Sequence, residues 1–168
     1  MPERWREPFA STEGVRRRMS AQPREGTQPE LAVRRAVHAL GLRYFVHRPP
    51  LPGLNRKADL VFPGPRVAVF VDGCFWHGCL DHGRRVFEVN GWYWPDKIER
   101  NRARDADTDR RLAAAGWMAV RVWEHEEPAA AAERIARIVG GRHAKASRES
   151  PHPPREVGAT TGACSRSS

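Results

Sequence analysis

Between Val71 and His82 the chain reads Val-Asp-Gly-Cys-Phe-Trp-His-Gly-Cys-Leu-Asp-His, a segment holding two thiols, two imidazoles, two carboxylates and two large aromatics. Cys74, Cys79 and His82 are sulfur and imidazole donors of the kind that a closed, tetrahedral structural zinc site uses. Such a site needs a fourth ligand, and His125, just past a later apolar run in Trp123-Glu-His-Glu, is the natural choice. A bound zinc ion would fix the directions of Phe75, Trp76 and His77, which lie between the two cysteines. The plainer alternative of two buried free thiols suits this irregular loop, with its Gly73, Gly78 and Asp81, less well.

Two further carboxylates stand where a carboxylate is unexpected. Asp59 interrupts the apolar run Ala58-Asp-Leu-Val-Phe62. It is either a solvated residue on an edge strand or a ligand for Mg²⁺, which prefers oxygen donors and phosphate partners. Asp105 belongs to the set Ile98, Asn101, Asp105, Thr108 and Leu112, which falls on one narrow face at 3.6-residue spacing. A carboxylate facing inward needs a partner, and His77 is the best candidate, because a neighbouring carboxylate fixes the imidazole tautomer and favours its protonated form. An Asp105–arginine ion pair on a solvated helix is the alternative.

These groups require elements to position them. Thr27-Gln-Pro-Glu30 has the pattern of a capping box and opens a helix that Gly41 ends, with Val33, Val37 and Leu40 on its inner stripe. Strands are expected at 43–47, 58–62, 66–71 and 117–123, a helix from about 96 to 115, and a final helix at 128–139. The order α-β-β-β-α-β-α predicts an α/β fold, with a central mixed sheet flanked by helices. His38 and His47 read as ordinary helix and strand histidines. Phe75, Trp76, Trp92, Tyr93 and Trp94 read as aromatics in irregular segments, suited either to core packing or to insertion between base pairs.

The sequence of 168 residues carries 29 Lys+Arg against 20 Asp+Glu, a net charge of +9, with arginine dominant. That balance favours a polyanionic partner, nucleic acid before an acidic membrane, although a compositional bias toward Arg and Ala accounts for part of it. No apolar run is long enough for a transmembrane helix, and the start of the chain has no apolar signal region. Three cysteines, one of them alone at Cys164, do not make a disulfide framework, so a cytoplasmic location is expected. Residues 1–26 read as a basic flexible arm, 27–140 as the folded unit and 141–168 as a disordered tail.

The residues also resemble a known family. Gly73-Cys-Phe-Trp-His77 after an apolar strand, Trp94-x2-Lys97-Ile98-x2-Asn101-x3-Asp105, and Gly116-Trp117 followed by Trp123-Glu124 are similar to the very short patch repair (Vsr) DNA mismatch endonucleases. Thr27-x-Pro-Glu30 and Leu51-Pro-Gly53 through Asp59 fit the same pattern, so the resemblance covers about residues 15–140. It implies a restriction-endonuclease-like fold, a structural Zn²⁺ and Mg²⁺-dependent nicking of one strand on the 5′ side of the thymine in a T:G mismatch left by 5-methylcytosine deamination. Carried over residue by residue, Asp59 and the main-chain carbonyl of Val71 would bind Mg²⁺, with Glu30 near them. His77 would be the general base and Asp105 its orienting group. Phe75, Trp76 and Trp94 would wedge into the duplex, while Lys97 and Asn101, within the matching motif, are assigned to DNA contact, as are Arg16, Arg17 and Arg18 in the arm.

The related nuclease pattern carries an acid and a lysine on the second strand, where this chain has Val71, Asp72 and Gly73. The missing lysine agrees with His77 as the base. The expected partners are mismatched double-stranded DNA and downstream repair proteins, with no membrane, and the chain is expected to act as a monomer. Two rival readings remain: a restriction-type nuclease of different specificity, and a zinc-stabilised DNA-binding module without catalysis.

Overall fold

The computed structural model describes residues 25–82 and 93–149. Its elements are α1 (Gln28–Ala39), β1 (Phe45–Arg48), β2 (Ala58–Phe62), β3 (Val67–Asp72), α2 (Tyr93–Ala114), β4 (Met118–Trp123) and α3 (Pro128–Glu149). The four strands form one mixed sheet in the order β1-β2-β3-β4. β1, β2 and β3 pair antiparallel in sequence, while β4 runs parallel to β3, with Val67 opposite Met118 and Asp72 opposite Trp123. A parallel neighbour requires a crossover, and α2 supplies it.

Alternation along the strands divides the core between the two faces of the sheet. On one face Leu60, Phe62, Val67, Val69, Val120 and Val122 pack against Val33 and Val37 of α1 and Ile135 and Val139 of α3. On the other, Val61, Ala68 and Phe70 pack against Leu112 of α2. β2 and β3 are buried along almost their whole length, which explains why they read as continuous apolar runs. The edge strand β1 leaves Phe45 and Val46 exposed, with the Arg48 guanidinium 4.7 Å over the Phe45 ring.

α2 ends as expected at Gly116, whose backbone takes φ +76° while Trp117 N–H closes the last turn on the Leu112 carbonyl at 2.9 Å. The strands fall within two residues of their expected bounds. Three local expectations need correction. Thr27 precedes α1 but makes no side-chain cap bond; its hydroxyl donates to Glu30 at 2.9 Å, and Glu30 instead accepts the Gly26 N–H at 2.7 Å. The final helix does not stop at 139 but runs through Gly140 and Gly141 to Glu149, so the stretch just after 141, expected to be disordered, begins as helix. α2 starts at Tyr93, so Tyr93 and Trp94 are helical rather than irregular. Arg16, Arg17, Arg18 and Trp92 lie outside the described residues. Among the described residues no helix is long and apolar enough to cross a membrane.

Candidate active site and candidate metal centre

The last residues of β3 are where the chemistry collects. β2 is an interior strand, so Asp59 is no solvated edge residue. Its carboxylate is largely buried and accepts the Val71 main-chain N–H at 2.8 Å. Burial pushes the Asp59 carboxyl up to about 6; the Val71 N–H opposes the shift and nearby Glu30 adds to it. Glu30, itself 6 % exposed, is held by Arg34 at 3.1 Å and by the Gly26 N–H.

His47 completes this group, and the expectation of an ordinary strand histidine has to be corrected. Its side chain comes within 3.8 Å of both Asp59 Oδ1 and Glu30 Oε2. Arg34 Nη2 lies 2.6 Å from His47 Nε2. Guanidinium can only donate, so Nε2 accepts and the ring proton sits on Nδ1, facing Asp59. The His47 backbone has φ +50°, uncommon for a residue with a side chain and often associated with functional sites. Nothing in the local sequence signals this. The antiparallel register sets Val46 opposite Leu60 and Arg48 opposite Ala58, which puts His47 across from Asp59, but that pairing spans a long connection whose length does not dictate it.

On the next residue of β3 a second group begins. Asp72, His77 and Asp105 offer atoms within 4.8 Å of one another. His77 Nδ1 is 2.5 Å from Asp105 Oδ2, the pairing expected from the helical face. Arg121, on β4 rather than on the helix, also reaches Asp105 Oδ1, at 3.5 Å, so an arginine does approach Asp105, but not in the solvated helical ion pair given as the alternative. Burial raises the Asp105 carboxyl, but the His77 hydrogen bond and the Arg121 charge outweigh it and hold the group below the usual range. Burial pushes Asp72 up, opposed by Arg121 at 2.9 Å. Neither Asp72 nor Arg121 was singled out as a site residue from sequence. The available signal was one charged residue at the end of an apolar strand and another inside a second; the register that sets Arg121 across from Phe70 appears only in the fold.

The loop after β3 is fixed from several sides. His77 N–H bonds the Gly73 carbonyl at 3.1 Å, and Cys79 N–H bonds that of Cys74 at 2.9 Å. Glu124 accepts the Cys74 N–H at 2.7 Å. Asn101 donates its amide to the Trp76 carbonyl at 2.8 Å, and Arg102 donates to the carbonyls of His77 and Gly78. Gly78 has φ +63°, and a Cβ there would meet Ile98 at 2.7 Å and Arg102 at 2.9 Å. Only glycine lets α2 pack this closely. Phe75, Trp76 and Trp94 form a cluster of half-buried rings with centroids 4.9–5.8 Å apart. Lys97 lies in the first turns of α2 and is half-buried.

Cys74, Cys79, His82 and His125 also gather, with ligand atoms within 4.8 Å of one another. His125 Nδ1 is 3.0 Å from Cys74 Sγ and 3.7 Å from Cys79 Sγ. A tetrahedron with zinc–sulfur and zinc–nitrogen bonds of about 2.3 and 2.0 Å has edges of about 3.5 Å, so the donor set fits a zinc ion in both chemistry and separation. Burial raises the Cys74 thiol. It opposes ionisation of Cys79 too, but hydrogen bonds from the His82 and Asp81 amides outweigh it and hold that thiol below its usual range. The Glu30–Asp59 pair is different in kind: hard oxygen donors, one of them disfavoured as an anion by burial and by the other, suit a divalent cation such as Mg²⁺.

The raised Asp59 carboxyl has a consequence for stability. A carboxyl moved from 3.8 to about 6 weakens the fold as pH rises through that window, by up to about 3 kcal/mol once it is ionised in both states. At pH values well below about 4 both states are protonated and the penalty vanishes. Asp59→Asn is therefore expected to be more stable than wild type at pH 8 without added Mg²⁺, with the gain shrinking at pH 5. Thermal denaturation at the two pH values checks it, and equal or lower stability at pH 8 would count against it.

Comparison with known proteins identifies the family. The family model described as DNA mismatch endonuclease Vsr matches residues 11–82. The chain is 50 % identical over 117 residues to the type II nicking enzyme V.NaeI of Lentzea aerocolonigenes, covering 68 % of this chain and 69 % of that protein. It is 46 % identical over 105 residues to the type II nicking enzyme V.XorIIP of Xanthomonas oryzae pv. oryzae, covering 61 % and 73 %. The DNA mismatch endonuclease Vsr of Escherichia coli is 34 % identical over 84 residues, covering 50 % and 52 %. With a mixed sheet that brings Asp59, His77 and Asp105 to the end of one strand and its following loop, the chain belongs to the Vsr family of DNA mismatch endonucleases.

Proposed function

We propose that this protein nicks one strand of double-stranded DNA on the 5′ side of the thymine in a T:G mismatch, initiating short-patch repair. The observation that carries the reading is the 2.5 Å contact between His77 Nδ1 and Asp105 on the loop that directly follows the Asp59-bound end of β3. Asp105 holds the His77 proton on Nδ1, which leaves the Nε2 lone pair to take a proton from an attacking water. The same carboxylate stabilises the imidazolium that results. Asp59, with the Val71 carbonyl and with Glu30 nearby, would hold Mg²⁺. Bound there, Mg²⁺ would supply positive charge to the phosphate and the leaving 3′ oxygen.

Phe75, Trp76 and Trp94 would enter the duplex beside the mismatch; such wedges cost a few kcal/mol per unstacked step, recovered through contact with the bent DNA. Lys97, Asn101 and the arm residues Arg16, Arg17 and Arg18 would contact the backbone, which positions the duplex without reading sequence. Asn101 would do so while its amide holds the Trp76 carbonyl. Zn²⁺ on Cys74, Cys79, His82 and His125 would be structural, securing the loop to the chain just after β4. We assign the nuclease unit to residues 27–140, in a restriction-endonuclease-like fold, with a basic arm at 1–26 and a tail at 141–168 whose first turns continue α3. The protein would work as a cytoplasmic monomer that hands its nick to downstream repair proteins. Single-strand cutting is supported by relatives named as nicking enzymes.

The test is incubation with T:G, C:G and other mismatched duplexes, with Mg²⁺ and with EDTA, followed by mapping of every break. The expected result is one Mg²⁺-dependent break, 5′ of the mismatched thymine. Cutting of both strands of paired DNA would replace this reading with a restriction-type nuclease, and tight binding without cutting would replace it with a binding module. For the zinc site, elemental analysis of the purified protein is expected to find about one zinc per chain, and Cys74→Ser is expected to lose both the metal and several degrees of thermal stability. A zinc-free protein of unchanged stability would refute the assignment.

A further inference from the structure

Arg121 occupies a position that the nuclease chemistry above does not use. It lies on β4 and points across the sheet end into a group of three carboxylates from two other elements. Its Nε and Nη2 donate to the two oxygens of Asp109 at 3.2 and 3.1 Å, a forked pair on α2. Its Nη1 donates to both oxygens of Asp72, at the end of β3, at 3.0 and 2.9 Å. Nη2 also reaches the Asp105 carbonyl at 3.3 Å and the Asp105 carboxylate at 3.5 Å. The Phe70 ring lies 5.0 Å beneath the guanidinium. One planar cation thus ties β3, β4 and α2 together at the root of the His77 loop. A lysine ammonium, as a point charge without the fork, could not make the same set of contacts.

His77 Nδ1 has two carboxylates within reach: Asp105 at 2.5 Å and Asp72 Oδ1 at 3.8 Å. Nδ1 carries a single N–H, so the two compete for it. Asp72 is 5 % exposed, and without Arg121 its buried charge would have the nearby N–H of His77 to turn to. That move would rotate the imidazole away from Asp105 and swing Nε2 with it.

We propose that Arg121 is a positioning residue for the His77–Asp105 pair: by engaging both Asp72 oxygens it reserves the His77 Nδ1 proton for Asp105 and so fixes where His77 Nε2 points. The inference rests on the nuclease reading for its catalytic consequence, but its structural half stands apart from it.

The experiment compares wild type, Arg121→Gln and the double variant Asp72→Asn/Arg121→Gln, each as the full chain. Three quantities are read: the single-turnover nicking rate on a duplex that wild type cuts, the Kd for that duplex, and the NMR signal of the His77 Nδ1 proton, assigned by its loss in His77→Asn. Because a small misplacement of a catalytic group can cost about 100-fold, Arg121→Gln is expected to slow nicking by roughly that factor with little change in Kd. It is also expected to shift the His77 proton signal. Removing the competing charge in the double variant is expected to recover most of the rate and to return the signal toward its wild-type position. An unchanged rate and signal in Arg121→Gln would overturn the proposal, and so would a loss that Asp72→Asn does not relieve, since a purely structural role predicts further damage from a second change. If Arg121→Gln does not fold, the double variant decides alone: a wild-type-like His77 signal supports the proposal and a displaced one overturns it. If wild type cuts no duplex, the functional reading fails while the proton comparison still judges this one.

Discussion

Carboxylates drawn out of water at the end of β3 set the constraint that the surrounding structure answers. Isolated buried carboxylates are costly, yet Glu30, Asp59, Asp72 and Asp105 come together here, supplied by α1, β2, β3 and α2. Each is compensated differently. Glu30 has Arg34 and a main-chain N–H, Asp59 the Val71 N–H, Asp72 the Arg121 guanidinium, and Asp105 the His77 imidazole. Asp59, which among the described residues has no cationic side chain hydrogen-bonded to it, has its carboxyl displaced to about 6, which is the condition of a group better satisfied by a cation than by the protein alone.

The architecture makes that gathering possible. Successive residues of β3 turn to opposite faces, so Val71 packs toward the α1 and α3 side while Asp72 meets α2. Asp59 and His77 are thereby set on either side of one strand end, with the loop that follows folded back over it. The loop has no regular structure of its own to hold it. Gly73, Glu124, Asn101 and Arg102 hold its backbone, and the thiol–imidazole group gathers its far end against His125. The imidazole is consequently carried on an irregular segment that nonetheless has few ways to move, as preorganised catalysis requires.

Much of this was legible in the sequence, for identifiable reasons. The strands were readable because β2 and β3 are apolar along their length, and the Asp105 pairing because 3.6-residue spacing places Asp105 on the face that ends at Leu112. The cysteine–histidine group was readable from ligand types and from the position of His125 after a strand. What escaped was set by tertiary register. His47 faces Asp59 only because β1 pairs with β2 in that alignment. Arg121 matters only because a parallel β4 brings it beside Phe70 and Asp72. The capping pattern at Thr27 misled for a related reason: Glu30 is drawn toward Arg34, His47 and the Gly26 N–H, so tertiary contacts override the local motif. The final helix passes its expected end at 139 because glycine, here Gly140 and Gly141, lowers helix propensity without forbidding a helix that continues on from a packed face.

The central claim is that His77 and Asp105 act as one unit at the reacting phosphate. A double-mutant cycle on single-turnover nicking tests it most directly, with His77→Ala, Asp105→Asn and the two combined, each measured alongside duplex Kd. If the account is right, both single variants lose rate at nearly constant Kd, and the double variant is little slower than the worse of the two, because the second change removes a partner already without a function. Rate losses that multiply, as for two independent groups, would contradict it.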